Sequence, residues 1–270
     1  MNYQQILYEV DGLVATVTLN RPTRMNALTK VMEVELRSAI EAAGRDSSVR
    51  VIVLVGAGKA FCAGMDMDEL EVLPPEDIRA EEWMRPYDMN RRADYQTRYS
   101  YFPATPKPII SAVNGAAAGL GLIMALYSDF RIASETAVFS TAFAKRGLIA
   151  EHGIAWILPR IVGHAAAMDL LLTSRKVTAQ EALSIGLVSR LVPPDELMPA
   201  VRTLAKSLAS EVSPRSVRVM KRQFWEAPYQ TLGEAIELAN AEMVVSLQSE
   251  DFKEGVRHFI EKRPAQFTGK

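Results

Sequence analysis

The chain has 270 residues, of which 49% are hydrophobic, and a formal net charge of −1. This length is enough to bury a large core, and the balanced charge argues against nucleic acid as the main partner because phosphate binding needs a basic surface. The single cysteine, Cys62, excludes a disulfide framework and a cysteine-rich metal site. Because no apolar run is long enough to span a bilayer and no signal peptide is recognisable, we expect a cytoplasmic protein with no membrane partner.

The first half of the chain alternates between β-rich and helical patterns, which indicates an α/β core with parallel strands. Asp11-Gly12 separates the first two β-rich runs and predicts a hairpin. In chain order the predicted elements are the strands ILYEV and LVATVTL, the amphipathic helix NALTKVMEVELRSAIEAAGRD, the buried strands VRVIVLVGAG and KPIISAVNG, the buried helix GLGLIMALYSDF, and two short strands in FRIASETAVFS. The residues expected on one side of the amphipathic helix are Val31, Met32, Val34, Leu36 and Ile40.

Beyond about residue 150 the patterns are mainly helical. Thr178 and Glu181 form a capping-box pattern before one of these helices. The predicted elements are helices in GIAWILPRIVG, AAMDLLLTSR and TAQEALSIGL, a short strand in VSRLVPP, helices over 195–210, 214–226 and about 229–249, and a final amphipathic piece EDFKEGVRHFIEKR. Pro193-Pro194 marks the expected boundary between a core domain, residues 1–195, and a helical C-terminal region, residues 196–270.

The stretch GKAFCAGMDMDEL, residues 58–70, leads into an expected helix start. Asp66 followed by Glu69 fits an N-cap with its capping partner. A sharper interpretation is that the backbone N–H of Met65, just before the helix, points into a cleft toward a developing negative charge. The spacing alone leaves both interpretations open.

A second junction lies in NGAAAGLGLIMALYSDF, where a strand runs through small residues into Gly119-Leu120-Gly121 at a helix start. Small residues allow a ligand or another backbone to approach closely, and the helix N-terminus supplies free N–H groups. The alternative is tight packing of the helix on the sheet. The glycine spacing does not match a dinucleotide fingerprint. Together the two junctions could form an oxyanion hole of two N–H groups for a thioester carbonyl.

Five segments resemble the enoyl-CoA hydratase/isomerase (crotonase) superfamily, and they cover nearly the whole chain in order. They are LNRPTRMNAL, AFCAGMDMDEL, KPIISAVNGAAAGLGLIMALYSDFRIAS, LTSRKVTAQEALSIGLVSRLVP and FIEKRPAQF. The resemblance implies an α/β fold, a crotonase-like spiral of ββα units with a helical C-terminal trimerisation region. It also implies an acyl-CoA thioester substrate and a homotrimer or a hexamer, a dimer of trimers. No metal and no cofactor are implied, since coenzyme A is part of the substrate.

The resemblance also implies roles for particular residues. The oxyanion hole would consist of the backbone N–H groups of Met65 and Leu120. The residues implied in substrate or CoA binding are Arg24, Met25, Ala27, Ala60, Cys62, Ala63, Gly64, Asp66, Gly119 and, from a neighbouring protomer, Lys262.

The chain departs from the family at the two glutamates with which its hydratases position and activate water. Ile123 and Phe143 occupy these places, and neither side chain can move a proton. Glu151, four residues after Gly147, takes the place where several members, including dienoyl-CoA isomerases, carry an aspartate as acid/base. The alternative is that Glu151 caps the helix in HGIAWILPR. If the family resemblance is set aside, the sequence predicts that His152 is a surface or capping histidine.

The favoured reaction is therefore double-bond isomerisation of an enoyl-CoA, a step of fatty acid metabolism, with Glu151 as acid/base. One alternative is a hydratase in which Glu151 alone activates water, and another is an acyl-CoA binding protein without catalysis. Residues 71–106 form an irregular insertion of the kind that is more often functional than structural. Its candidates for lining an acyl pocket, each more simply interpreted as a solvated loop residue, are Asp88, Arg91, Arg92, Asp94, Tyr95 and Tyr99.

Overall fold

The computed structural model describes residues 2–71 and 95–270. In this part of the chain the strands are β1 (Ile6–Asp11), β2 (Val14–Leu19), β3 (Val51–Gly56), β4 (Ala60–Cys62), β5 (Ile109–Val113), β6 (Ala116–Ala118), β7 (Phe130–Ser134), β8 (Val138–Ser140), β9 (Val177–Thr178) and β10 (Arg190–Val192). The helices are α1 (Lys30–Arg45), α2 (Met67–Glu71), α3 (Tyr101–Ala104), α4 (Leu120–Tyr127), α5 (Ile154–Val162), α6 (His164–Thr173), α7 (Ala179–Ser184), α8 (Leu197–Ser210), α9 (Pro214–Glu226), α10 (Leu232–Gln248) and α11 (Glu250–Glu261). None of these helices is long and apolar enough to cross a membrane.

The strands form two sheets, and from β3 to β8 successive strands belong to the two sheets alternately. The larger sheet has the order β1-β2-β3-β5-β7-β10, and the smaller one has the order β4-β6-β8-β9. Each of the pairs β3–β4, β5–β6 and β7–β8 adds one strand to each sheet, and the strands that these pairs contribute to one sheet run parallel to one another. A helix follows two of these strand pairs directly, as α2 follows β4 and α4 follows β6. The chain therefore winds through repeated ββα units, as expected.

The predicted hairpin is present, but its turn lies one residue later than the Asp11-Gly12 dipeptide. Asp11 pairs with Val14 in the β1–β2 ladder, which leaves Gly12 and Leu13 as the two turn residues. Gly12 has φ +55°, a left-handed conformation that glycine adopts without steric cost. The residue that enables the turn was thus identified correctly, and only the register of the turn was wrong.

Helix α1 begins after an N-cap at Thr29, and only part of the face predicted from the sequence is buried. The Thr29 side chain accepts a hydrogen bond from the Met32 N–H at 3.1 Å. Met32, Leu36 and Ile40 are fully buried, and their spacing of four residues follows one face of a helix. Val31 and Val34 lie outside this stripe and are exposed, Val34 by 70%, so the side of α1 that carries most of the five residues is only partly covered by the core.

The capping box predicted at Thr178 is only half formed. The Thr178 side chain accepts the Glu181 N–H at 3.2 Å, which is the expected cap of α7. The Glu181 carboxylate does not return to the Thr178 N–H, because it forms two hydrogen bonds with the Arg175 guanidinium instead. A charged partner nearby offers a stronger interaction than a backbone N–H.

Helix α8, the first helix after residue 195, shares a hydrophobic core with the large sheet. Val201 and Ala205 of α8 pack in one cluster with Val53, Ile110 and Ile132 of the central strands. The later helices α9, α10 and α11 expose large apolar side chains, including Phe224, Leu232, Val244, Phe259 and Ile260. The division into residues 1–195 and 196–270 stays a prediction.

Candidate active site

The two strand-to-helix junctions singled out in the sequence lie against each other. Gly64 has φ +99°, and a Cβ atom built on it would lie 3.0 Å from the Ala118 carbonyl oxygen and 3.7 Å from the Leu120 nitrogen. Gly119 has φ +51°, and its Cβ would lie 3.9 Å from the Gly64 Cα. Glycine at both positions allows the left-handed backbone and the close approach. The main chains of Met65 and Leu120, which follow these glycines, are therefore neighbours.

Among the described residues, the backbone N–H groups of Met65 and Leu120 have no acceptor. The Leu28 N–H donates to the Gly64 carbonyl at 2.7 Å and the Asp66 N–H donates to the Leu28 carbonyl at 2.8 Å, so the Met65 N–H faces away from Leu28. Leu120 is the first residue of α4, where N–H groups have no acceptor within the helix. No hydrogen bond to either N–H comes from residues 2–71 or 95–270. Two fixed donors side by side can stabilise an oxyanion.

Helix α4 rests directly on strand β4. A Cβ atom at Gly121 would lie 2.2 Å from the Cys62 carbonyl oxygen, so only glycine permits this contact. The Cys62 side chain is fully buried, and its sulfur accepts the Gly64 N–H at 3.4 Å. Burial raises the pKa of the Cys62 thiol to about 12, which keeps it protonated. Cys62 is therefore a packing residue that fixes the junction, and not a nucleophile.

Asp66, predicted to contact the ligand, is held by two arginines. Its carboxylate lies 2.7 Å from the Arg21 guanidinium and 3.0 Å from that of Arg24, and the side chain is only 3% exposed. Burial acts to raise the pKa of Asp66, but the hydrogen bonds from Arg21 and Arg24 outweigh it and lower the pKa. Arg24 also contacts Asp68 at 2.5 Å. Asp66 is thus a permanent anion that anchors this corner.

The capping box expected from Asp66 and Glu69 is wrong. Asp66 does accept the Asp68 N–H at 3.1 Å, which fits an N-cap of α2. The Glu69 carboxylate, however, accepts the Lys30 N–H at 3.0 Å. The Asp66 N–H that a capping box needs is already bonded to Leu28, because the chain pairs with the segment before α1.

The other predicted ligand-binding residues lie on two segments that run side by side. The Ala63 N–H donates to the Met25 carbonyl at 3.0 Å. Met25 is half exposed and has φ 51°, whereas Ala27 and Ala60 are buried. Lys262 is exposed at the C-terminal end of α11. Its proposed origin in a neighbouring protomer stays a prediction.

Asn26 organises this corner and was not identified from the sequence. Its side chain is completely buried; it accepts the Arg21 N–H at 2.9 Å and donates to the carbonyls of Ala57 and Ala60. Its φ of 54° is a left-handed conformation in which asparagine is enriched among non-glycine residues. The Met25-Asn26 pair in NRPTRMNAL was therefore the available signal for a turn.

The two positions that correspond to hydratase glutamates lie in apolar packing. Ile123 on α4 is fully buried, and Phe143, which precedes the turn Ala144–Arg146, is buried as well. Phe143 lies two residues after Thr141, whose carbonyl oxygen would lie 3.9 Å from a Cβ atom on Gly119. This stretch therefore passes beside the start of α4 and brings no carboxylate to it.

Glu151 is a half-buried carboxyl group on the turn before α5. Its side chain is 26% exposed; burial raises its pKa, and the Arg98 guanidinium partly opposes this rise. Helix α5 has Gly153 as its N-cap and no side-chain cap, so Glu151 is not the N-cap of this helix. The main-chain carbonyl of Glu151 accepts the Ile154 N–H instead, at 3.0 Å. The carboxyl group is left for another role.

His152 is buried, contrary to its interpretation as a surface or capping histidine. Its side chain is 8% exposed, and its Nε2 lies 3.8 Å from Glu151 Oε2. Burial, assisted by Arg98, lowers the pKa of His152 to about 4, so the imidazole is neutral at neutral pH. The Tyr127 hydroxyl donates to the His152 carbonyl at 2.8 Å and fixes the turn to the end of α4.

Two of the insertion candidates, Tyr95 and Tyr99, lie within the described residues. Asp88, Arg91, Arg92 and Asp94 lie outside them. Tyr95 is half-buried, whereas Tyr99 is almost fully buried and is not a solvated loop residue. Its hydroxyl donates to Glu33 Oε1 at 2.5 Å, and the adjacent Arg98 forms an ion pair with the same carboxylate.

Comparisons with known proteins match this geometry to a family. Residues 9–270 match the family described as enoyl-CoA hydratase/isomerase. The chain is 35% identical to the 1,2-epoxyphenylacetyl-CoA isomerase of Escherichia coli, over 98% of both chains, and 38% identical to a probable enoyl-CoA hydratase of Rhodobacter capsulatus, over 100% of both. Its fold matches an enoyl-CoA hydratase from Bacillus anthracis with a TM-score of 0.89 and 29% identity, over 99% of this chain and 100% of that one.

The family and the crotonase-like α/β fold with C-terminal helices, both expected from the sequence, are confirmed by these matches. The matched region includes both glycine junctions and the Glu151 turn. The chain therefore belongs to the enoyl-CoA hydratase/isomerase family of acyl-CoA enzymes.

Proposed function

We propose that this protein is an enoyl-CoA double-bond isomerase in which Met65 and Leu120 bind the thioester oxygen and Glu151 carries the proton. The observation that supports this proposal most is that, of the three positions at which family members carry catalytic carboxyl groups, only one carries a carboxyl group in this chain. Ile123 and Phe143 are buried at the hydratase positions, while Glu151 is half buried and has a raised pKa. A single acid/base next to an oxyanion hole is sufficient for moving a double bond.

In the proposed mechanism the Glu151 carboxylate removes a proton from the carbon that becomes part of the new double bond. The electron pair moves toward the thioester carbonyl, whose oxygen becomes negative and accepts hydrogen bonds from the Met65 and Leu120 N–H groups. The protonated Glu151 then returns the proton at the other end of the allylic system, so atoms and charge balance. A raised carboxyl pKa suits this exchange because it lies closer to the working pH. The pKa of His152, lowered by burial to about 4, makes it neutral at neutral pH, so it does not act as a cationic acid in this mechanism.

The names of the relatives support different reactions. The Escherichia coli relative is an isomerase of 1,2-epoxyphenylacetyl-CoA, and this favours isomerisation of an acyl-CoA with Glu151 as its acid/base. The Rhodobacter capsulatus relative is a probable enoyl-CoA hydratase, and it keeps open the addition of water with Glu151 as the only carboxylate. A protein that binds acyl-CoA without turnover is the third candidate, although a half-buried Glu151 that is not the N-cap of α5 favours an enzyme.

The proposal extends to the ligand and the assembly. The CoA part would lie along the segments that carry Arg24, Met25, Ala27, Ala60 and Ala63, and coenzyme A would enter only as part of the substrate. Three copies, or two such trimers, would cover the apolar side chains that α9–α11 expose, and would bring Lys262 to a neighbouring site. Light scattering at micromolar concentration tests this, and a monomer would contradict it.

A panel of enoyl-CoA and dienoyl-CoA esters followed by mass spectrometry tests the reaction. Isomerisation gives a product of unchanged mass, whereas hydration adds the mass of water. We expect Glu151→Gln to lower turnover by roughly 10²–10⁴-fold while CoA-ester binding is retained. The matched control is Glu135→Gln in the exposed turn after β7, which should keep full activity. Full activity of Glu151→Gln would refute the mechanism.

A further inference from the structure

The Tyr127 side chain joins the last residue of helix α4 to the turn that carries Glu151. Its hydroxyl donates a hydrogen bond to the His152 carbonyl at 2.8 Å. A Cβ atom built on Gly153 would lie 2.8 Å from the same hydroxyl oxygen. The hydroxyl therefore lies directly against the backbone of the two residues that follow Glu151.

The backbone held by this hydrogen bond has an unusual conformation. His152 has φ 51° and Gly153 has φ +72°, so two successive residues are left-handed. A left-handed conformation is uncommon for a residue with a side chain, and it persists where the surrounding structure enforces it. Helix α5 begins directly afterwards at Ile154, whose N–H donates to the Glu151 carbonyl at 3.0 Å. The hydrogen bond from Tyr127 thus helps to keep the backbone around Glu151 in this shape.

The Tyr127 ring is itself held by helix α9. The ring is 8% exposed and stacks on the Trp225 ring, with centroids 6.1 Å apart and planes inclined by 18°. The Trp225 indole N–H donates to Asp129 at 3.4 Å, and Asp129 lies 2.7 Å from the buried ammonium group of Lys221. Burial raises the pKa of Tyr127 to about 12, so its hydroxyl stays protonated and remains a donor at neutral pH.

Helix α4 connects this contact with the proposed oxyanion hole. Leu120 is the first residue of α4 and Tyr127 is the last, so at a rise of about 1.5 Å per residue they are about 11 Å apart along the axis. All residues of α4 are buried, and Gly121 lies against the Cys62 carbonyl, so close packing fixes the helix in its surroundings. One rigid element therefore touches both the oxyanion hole and the Glu151 turn.

We propose that Tyr127 is a positioning residue whose hydroxyl fixes the Glu151 turn to α4, so that α4 sets the distance between the oxyanion hole and the acid/base. This inference rests on the proposed roles of Leu120 and Glu151. In this role Tyr127 acts through the backbone of His152 and Gly153 and needs no contact with the substrate. Because the hydrogen bond orients a reacting group, its loss should act on kcat and not on KM.

The experiment removes the hydroxyl and keeps the aromatic ring. Tyr127→Phe retains the ring that stacks on Trp225, and we expect kcat for isomerisation to fall by roughly 10- to 10²-fold while KM changes little. Thr105→Val is the matched control, because the Thr105 hydroxyl donates to the Tyr101 carbonyl at 2.7 Å in a buried hydrogen bond of the same kind. This control should lower the melting temperature by a similar amount and keep the wild-type kcat.

Gly153→Ala provides a second test through its coupling to Tyr127. The new Cβ atom meets the Tyr127 hydroxyl, so the substitution should lower kcat in the wild-type background and by a smaller factor in Tyr127→Phe, where the hydroxyl is absent. Independent losses in the double variant, an equal loss of kcat in Thr105→Val, or a wild-type kcat in Tyr127→Phe while Glu151→Gln has lost its activity would each overturn the inference. A fully active Glu151→Gln would instead refute the proposed function, which separates the two failures.

Discussion

Replacing Gly121 by alanine tests the contact that places the Leu120 N–H. The new Cβ atom would lie 2.2 Å from the Cys62 carbonyl oxygen and 2.8 Å from the Cys62 Cβ. Real Cβ atoms essentially never approach within 3.0 Å of another heavy atom, and the nearest atom here belongs to the backbone of β4. The start of α4 must therefore move away from β4 by about 1 Å.

This displacement acts directly on the proposed oxyanion hole. Leu120 precedes Gly121, and its N–H is one of the two donors, so moving α4 separates it from the Met65 N–H. A misplacement of about 1 Å in a reacting geometry costs on the order of 10²-fold, and the loss of one oxyanion donor costs roughly 10²–10³-fold. We expect kcat to fall within this range, with a much smaller change in KM. Overpacking should also lower the free energy of unfolding by about 1–3 kcal/mol.

The assay measures kcat and KM for isomerisation beside thermal unfolding of the same samples. The matched control is Gly255→Ala within α11, where the built Cβ lies no closer than 3.8 Å to the Phe267 ring. This variant should keep its activity and gain up to about 1 kcal/mol in stability, since alanine favours a helix over glycine. A folded Gly121→Ala protein with wild-type kcat would refute the reasoning that this glycine places the donor.

Two further predictions concern stability. Lys221→Met removes the buried cation that lies 2.7 Å from Asp129, and it should lower the free energy of unfolding in urea by about 3 kcal/mol. Arg222→Met loses only an exposed pair and should cost below about 1 kcal/mol; equal losses would contradict this ranking. The pKa of His152 is about 4 in the folded protein, whereas its ordinary value, taken for the unfolded chain, is 6.5. Between these two pH values the unfolded chain therefore binds a proton at His152 more readily than the folded protein does. Stability should fall by up to about 3 kcal/mol as pH drops through this window, and His152→Gln should lack this component; identical slopes in both proteins would count against it.

The elements that the sequence predicts well are those with local causes. The apolar runs of β3 and β5 and the glycine junction before α4 depend on neighbouring residues, and all three lie where they were expected. Exposure was harder to predict, as Val34 shows, because it depends on which side of α1 the sheet covers. The turn of the first hairpin shifted by one residue because the register of the ladder fixes it.

The residues of the candidate site likewise divide into those with a local sequence signal and those placed only by the tertiary structure. Glu151 and the N–H groups of Met65 and Leu120 were proposed as site groups through motifs that a family resemblance carries, and their roles stay predictions. The contacts of Glu33 with Arg98 and Tyr99 could not be predicted from the sequence, because Glu33 and Arg98 are separated by 65 positions and no periodic pattern connects them. The partners of Asn26 lie 31 and 34 positions away and are likewise set only by the fold. Polar contacts of this kind depend on tertiary structure.

The most direct test of the proposed chemistry is the incorporation of deuterium from heavy water into an enoyl-CoA, followed by mass spectrometry. Glu151 is partly open to solvent, so its proton should exchange and mark the product of isomerisation. The wild-type protein should give a product that carries deuterium and no added water, and Glu151→Gln should give none. Deuterium incorporation at the wild-type rate in Glu151→Gln, or a product that has only gained water, would contradict the isomerase mechanism.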